Sequence, residues 1–131
     1  MKSVAIIIAA LSLAACAQTG QTLREDPTSV RFEVTVQENY QATYNKLLAT
    51  ARKCSNLPLY NARSVAVGDL HTDTREAVVS VSMIGIHSEV PYWTADLKAD
   101  GNTTHVTLML PSYFKPSAPS VLGWLHGATV C

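Results

Sequence analysis

Five stretches of this chain alternate apolar and polar side chains with a period of two, and that pattern restricts its fold more than any other feature. Over residues 30–36, Val30, Phe32, Val34 and Val36 fall on one face and Arg31, Glu33 and Thr35 on the other. Successive strand side chains point to opposite faces, so such a segment reads as a half-buried strand. Residues 63–70 alternate around Val65 and Val67, and residues 76–86 around Ala77, Val79, Val81 and Met83. Trp93, Ala95 and Leu97 share a face in residues 90–99, and Val106, Leu108 and Leu110 share one in residues 103–110. The breaks are short and carry turn chemistry: Thr72-Asp73-Thr74, then Gly85 with His87-Ser88-Glu89, then Asp100-Gly101-Asn102. Glycine takes positive φ at no steric cost, which makes the last a strong hairpin signal. Strands joined this way run antiparallel.

Two stretches follow a helical period instead. Between Glu38 and Cys54, the side chains of Tyr40, Tyr44, Leu47, Leu48 and Ala51 fall on one side of a helix, with Cys54 close to it. Asn39 or Glu38 can open this helix by accepting a hydrogen bond from a free first-turn amide. Lys46, Arg52 and Lys53 gather toward the end where positive charge is favourable, and Ser55, Asn56 and Pro58 stop it. Residues 111–119 hold three prolines and are expected to form a loop. Ser117 or Ser120 can then cap a short last helix with Val121, Trp124, Leu125 and Ala128 as its apolar stripe. Gly123 and Gly127 weaken that helix by about 1 kcal/mol each relative to alanine. Their missing side chains predict that the sheet or the first helix approaches its backbone closely. Each helix has one apolar stripe and each strand one apolar face. The predicted architecture is therefore α+β: a five-stranded antiparallel sheet with two helices packed on one face, in the order β-α-β-β-β-β-α.

The N-terminus has a different character. Lys2 heads an apolar run from Val4 to Leu13, and Leu13-Ala14-Ala15-Cys16 closes it, which is how a cleavable export signal is built. A membrane-spanning helix needs about 20 apolar residues, more than this run supplies before Gln18, Thr19, Gln21 and Thr22. The closing four residues resemble a bacterial lipobox, in which the cysteine becomes the acylated first residue of the mature chain. The resemblance implies a lipoprotein signal peptide over residues 1–15 and lipidation of Cys16. Each buried methylene contributes about 0.8 kcal/mol, so attachment through two or more acyl chains is effectively permanent. Ala17 follows the cysteine. An aspartate there favours inner-membrane retention in such lipoproteins, so alanine implies the outer membrane, with the domain facing the periplasm. Residues 16–29 have little apolar content and are expected to be the lipidated cysteine and a flexible tether. Fully extended, such a tether of about 13 residues reaches at most about 40–45 Å. Residues 30–131 remain as a single domain.

The whole chain carries 10 Lys plus Arg and 10 Asp plus Glu; removing residues 1–15 takes away Lys2 alone, leaving nine against ten and a net charge of −1. No basic patch remains for a phosphate backbone, so nucleic acid is not an expected partner. Two cysteines, Cys54 and Cys131, belong to the domain. In an oxidising periplasm they most simply pair with each other. Such a bridge would close a loop of about 78 residues and contribute at most about 4–5 kcal/mol on chain-entropy grounds. A free buried thiol and an intermolecular bridge through Cys131 are the alternatives.

Candidate chemistry is sparse. Asp69, His71 and Asp73 would share a face if their strand ran far enough, a donor set suited to a divalent ion. A solvated strand end entering a turn is the simpler account, and no metal is expected. His87, His105 and His126 are too far apart in sequence to be read as convergent, and nothing resembles a nucleophile elbow. No catalytic residue and no cofactor is expected. Asn102-Thr103-Thr104 matches a glycosylation sequon but reads as part of the hairpin turn. Tyr113, Phe114 and Lys115 lie in the proline-rich segment and are candidate partner contacts, although Phe114 folding back on the core edge is the competing reading. Tyr92 and Trp93 open a strand, so one of them is expected to face away from the core. Met83, Trp93, Leu108 and Trp124 are the candidate lining of a cavity between the last helix and the sheet, where Gly123 and Gly127 would leave room.

Lipobox and element order together resemble the helix-grip domains of some envelope lipoproteins, including the accessory lipoprotein of the outer-membrane β-barrel assembly machinery. The resemblance implies a non-catalytic protein-binding or scaffolding component, held at the membrane by its lipid. An envelope protein partner would be met through an open sheet face, an edge strand or residues 113–115. The alternatives are a periplasmic binder of an apolar small molecule or lipid, and an inhibitor of a hydrolase or toxin. A closed, packed sheet–helix interface favours the first reading, and a cavity at the four apolar positions the second.

Overall fold

The computed structural model describes residues 18–55, 58–59 and 62–131; Cys16 and the export signal lie outside them. Elements follow in the order α1 (Gln18–Glu25), β1 (Val30–Val36), α2 (Tyr40–Ser55), β2 (Pro58–Leu59), β3 (Ala62–His71), β4 (Glu76–Gly85), β5 (Glu89–Asp100), β6 (Thr103–Leu110), a 3-10 segment (Ser112–Ser117) and α3 (Ala118–Leu125). The five long strands form one antiparallel sheet in the order β1-β6-β5-β4-β3, with the two-residue β2 added outside β3. β3 to β6 are a meander, and β6 returns to pair with β1 from Val30↔Leu110 to Val36↔Thr104. α2 and α3 pack together on one face of this sheet, the α+β architecture that the alternating pattern predicts.

On that front face the core is built from Val36, Val79, Val81, Ala95, Leu97, Val106, Leu108 and Leu110, with Leu47, Leu48 and Ala51 of α2 laid across them. Asn39 opens α2: its Oδ1 accepts from the Ala42 amide at 2.9 Å, which satisfies one of the amides left free in a first turn. β3 presents the face opposite to the one its valines suggest. Ser64, Ala66, Gly68 and Leu70 point toward α2, while Val67 is 57% exposed on the back. The reason is proximity. A Cβ placed on Gly68 would lie 2.5 Å from Tyr44 Oη and 2.6 Å from Leu48 Cδ2, so α2 crosses β3 where only the smallest side chain fits.

The back of the sheet is not bare. Where a flexible tether is expected, residues 18–25 form α1, which lies over β5 and touches β4 and β6. Leu23 is 2% exposed, and Arg24 forms a two-pronged ion pair with Asp96, its Nε donating to Oδ2 at 2.8 Å and its Nη2 to Oδ1. That hydrogen bond raises the guanidinium pKa above its ordinary value, against the opposing effect of desolvation. Ser29 Oγ donates to the Leu23 carbonyl at 2.8 Å, and the Arg31 guanidinium donates to the Arg24 carbonyl. One leucine and one arginine are too little for a local hydrophobic pattern to report. Their partners lie about 70 residues downstream in β5.

Residues 111–119 are more ordered than their prolines suggest. They form a 3-10 turn and then enter α3 with Pro119 in its first turn, a position where a missing amide costs nothing. Ser117 precedes α3, yet its side chain makes no capping hydrogen bond. At the other end, the amides of Gly127 and Ala128 donate to the carbonyls of Trp124 and Gly123 at 3.1 and 3.0 Å. With Gly127 at φ +95°, this is a Schellman stop. The expected close approach at the two glycines is therefore absent: a Cβ on Gly123 would meet only Ala128 Cβ, at 3.6 Å, and one on Gly127 nothing within 4 Å. Gly127 ends the helix, and Gly123 packs against no other element among the described residues. No helix among the described residues is long and apolar enough to cross a membrane.

Candidate functional site

The feature that concentrates binding chemistry starts as an irregularity in β5. β4 and β5 pair through Val81↔Trp93 and then Ser82↔Pro91, which leaves Tyr92 as an extra residue. A bulge of this kind re-aims side chains. Tyr92 consequently packs against the same front core as Trp93, and neither faces away as strict alternation predicts. The 3-10 segment then brings Phe114 edge-on to Tyr92, with ring centroids 4.4 Å apart. Trp124 of α3 stands 6.3 Å from Trp93, tilted by 60°.

These rings line a half-open groove of about 370 Å³ between the sheet, the end of α2 and α3. Its far wall is the Cys54–Cys131 disulfide, which joins the end of α2 to the last residue with Cα atoms 5.2 Å apart. The chain beyond α3 is pinned there by two further bonds. Trp124 Nε1 donates to the Val130 carbonyl at 2.9 Å, and Lys53 Nζ to the Thr129 carbonyl at 3.2 Å. Trp124 thus satisfies its one polar atom on the tail and leaves its ring to the groove. Ser64 Oγ donates to the Ser55 carbonyl and ties β3 to the end of α2 along the inner wall. Ser117 and Ser120 stand exposed at the rim, and among the described residues no acidic, basic or histidine side chain lines the space. The surface suits an apolar or aromatic group with one polar edge, held by dispersion and a hydroxyl contact.

The predicted residues divide. Trp93 and Trp124 line the groove, whereas Leu108 is fully buried in the core and Met83 is half-buried outside the lining. Ala118 and Leu125 of α3 are buried in the core outside the lining, and α3 reaches the groove through Val121, Trp124 and Ser120. Phe114 folds back into the groove, while Tyr113 is 65% exposed beside it, 4.8 Å from the Phe114 ring, and Lys115 is exposed. Ser117 and Ser120, legible only as possible helix caps, stand at the rim, and Tyr92, expected to part from Trp93, joins it in the groove because a bulge leaves no mark in a periodic pattern. Of the acidic and histidine cluster, His71 Nε2 and Asp69 Oδ2 meet at 3.0 Å on an exposed strand end, and Asp73 lies in the turn. Among the described residues no three His, Cys, Asp or Glu side chains form a group that could hold a metal. His87, His105 and His126 lie in the β4–β5 turn, on the back of β6 and at the end of α3.

No family model and no curated protein matches the chain. Among solved structures, the crystal structure of DynU16, a protein of the dynemicin biosynthetic locus, aligns over 76% of this chain and 44% of its own, at 17% identity and a TM-score of 0.38. The chain thus spans less than half the length of that protein.

Proposed function

We propose that this chain is a bacterial envelope lipoprotein, anchored in the outer membrane through an acylated Cys16, whose domain is a non-catalytic binding part of a larger assembly. The observation that carries the binding role is the pairing of an exposed Tyr113 with an open groove lined by Tyr92, Trp93, Phe114 and Trp124. Exposed aromatic side chains beside an apolar recess are the usual makings of an interface hot spot: one partner side chain inserts and its neighbours exclude water. A volume of about 370 Å³ lies near the lower end of the roughly 300–1,000 Å³ typical of small-molecule sites, so one bulky side chain fills it better than a lipid does. Among the described residues of the lining no side chain is charged, which favours an apolar anchor over a charged one.

A second reading, an apolar small molecule in the same groove, is favoured by its enclosure between two tryptophans. One experiment separates the two. A photo-crosslinking residue replaces Tyr113 in the full-length protein in cells, and whatever is captured is identified by mass spectrometry. A reproducible adduct with one envelope protein, lost when Ser120→Trp fills the rim, is the expected result. No protein adduct, together with a metabolite or lipid that co-purifies and is displaced by Ser120→Trp, would move the site to the second reading.

A further inference from the structure

Docking of α1 on the back of the sheet limits where an anchor at Cys16 can stand. A Cβ on Gly20 would touch Thr94 Cγ2 at 3.2 Å, and Arg24 holds Asp96, so the helix is fastened over the middle of β5. Cys16 precedes Gln18 by two residues, which span at most about 7 Å in any conformation. Two helical positions, Gln18 and Gly20, are about 5 Å apart. The attachment point therefore lies within about 12 Å of the back face, where a free tether would have allowed about 40–45 Å. A domain held that closely cannot present an arbitrary side to the membrane.

The geometry points to one orientation: the back face carrying α1 lies on the lipid surface, and the aromatic groove opens away from it. This rests on the acylation of Cys16 proposed above. Both layers expose apolar side chains, and they differ in where these lie. On the back, Val67 is 57% and Ile84 36% exposed, with the exposed Arg63 paired beside Ile84, and Ile86, 73% exposed, in the turn that follows. Exposed apolar side chains suit the headgroup boundary of a bilayer, and with Arg63, Glu33 and Asp69 all exposed on this face its charge is mixed. On the front, the outer side of α2 exposes Gln41, Asn45, Ala49 and Arg52 and no large apolar side chain, and the exposed Tyr113 and Val130 stand at the groove end, where a partner would cover them. Groove and α1 lie on opposite faces of one sheet, so seating the back face on lipid leaves the groove free for a partner.

The test uses the full-length lipidated protein in vesicles of phosphatidylethanolamine and phosphatidylglycerol, with a nitroxide placed singly at Thr35→Cys, Val67→Cys or Asn45→Cys. These sites are exposed, so the label leaves the core intact. Cys54 and Cys131 are bonded to each other, which leaves the introduced thiol to react. The mass of the N-terminal peptide is read first, and absence of acyl mass on Cys16 removes the anchor and this orientation together. With Cys16 acylated, labels at Thr35 and Val67 are expected to be several-fold less accessible to an aqueous nickel relaxer than the label at Asn45, and more accessible to oxygen. Equal nickel access at all three sites overturns the orientation and leaves the anchor standing. Shielding of the back-face labels from both relaxers would indicate a second protein copy in place of lipid, and would also overturn it.

Discussion

Gly68 is the residue on which the seating of α2 depends. An alanine methyl there would lie 2.5 Å from Tyr44 Oη and 2.6 Å from Leu48 Cδ2, against a helix that is part of the core. Overpacking of this kind costs about 1–3 kcal/mol, so Gly68→Ala is expected to lower the urea midpoint by a corresponding amount. Gly123→Ala makes the opposite case: its methyl meets only Ala128 Cβ at 3.6 Å in a helix interior. There the gain in helix propensity of up to about 1 kcal/mol should raise the midpoint. If both changes shift it in the same direction, packing is not what separates the two sites. Asp26 offers a residue-scale test of charge. Thr28 donates to its Oδ1 through the hydroxyl at 2.7 Å and the amide at 2.8 Å, and these bonds hold the carboxyl pKa below its ordinary value. A group shifted down stabilises the fold above its unfolded pKa, and that contribution is lost as pH falls through the lowered one. The Thr28 amide shift should therefore titrate below the ordinary aspartate midpoint, and a midpoint at the ordinary value would mean that Thr28 does not hold the carboxylate in solution.

Among the elements, α1 is attached most lightly. It is one helix of eight residues in which Leu23 is the one large buried side chain among those described, with an ion pair that remains about one-third exposed. Such a pair contributes about 1 kcal/mol or less after solvent screening, and burying a leucine about 1.5–3 kcal/mol. Leu23→Ala is expected to speed amide exchange in residues 20–25 while leaving β4 and β5 protected, because the sheet keeps its own core on the other face. Equal loss of protection in α1 and β5 would show instead that the two fold as one unit. Lightness of this kind also explains what the sequence disclosed. Five alternating strands and the long helix are visible because each repeats its signal over seven or more positions. α1 is not, because its stabilising partners Thr94 and Asp96 lie in another element. Alternation in β3 is equally clear but carries no sign. Val65 and Val67 look like the buried side until Gly68 and Ala66 are seen beneath α2.

At the scale of the whole molecule, the candidate site depends on closures that join distant parts of the chain. Cys54 and Cys131 could be paired on paper from their number and the expected compartment. That their bridge forms a wall of the groove could not, because the bulge at Tyr92, the 3-10 turn at Phe114 and the return of the tail all contribute. The bridge spans 77 residues and ties the end of α2 to a tail otherwise held by the Trp124 and Lys53 hydrogen bonds. Chain-entropy estimates for such a loop reach about 4–5 kcal/mol, an upper figure because the reduced chain retains structure. Cys131→Ser is therefore expected to lower stability by a few kcal/mol in chemical denaturation, and its effect on the groove should appear earlier than global unfolding. Once the tail is freed, Trp124 loses the Val130 carbonyl and one side of its ring becomes open to water. Under native conditions, acrylamide should then quench the tryptophan emission of the variant more strongly than that of the bridged protein, with the far-ultraviolet circular dichroism unchanged. Equal quenching in a folded variant would mean that the tail stays in place without the bridge. The groove would then be a property of the sheet and α3 alone, and a partner's affinity would not depend on the redox state of the two cysteines.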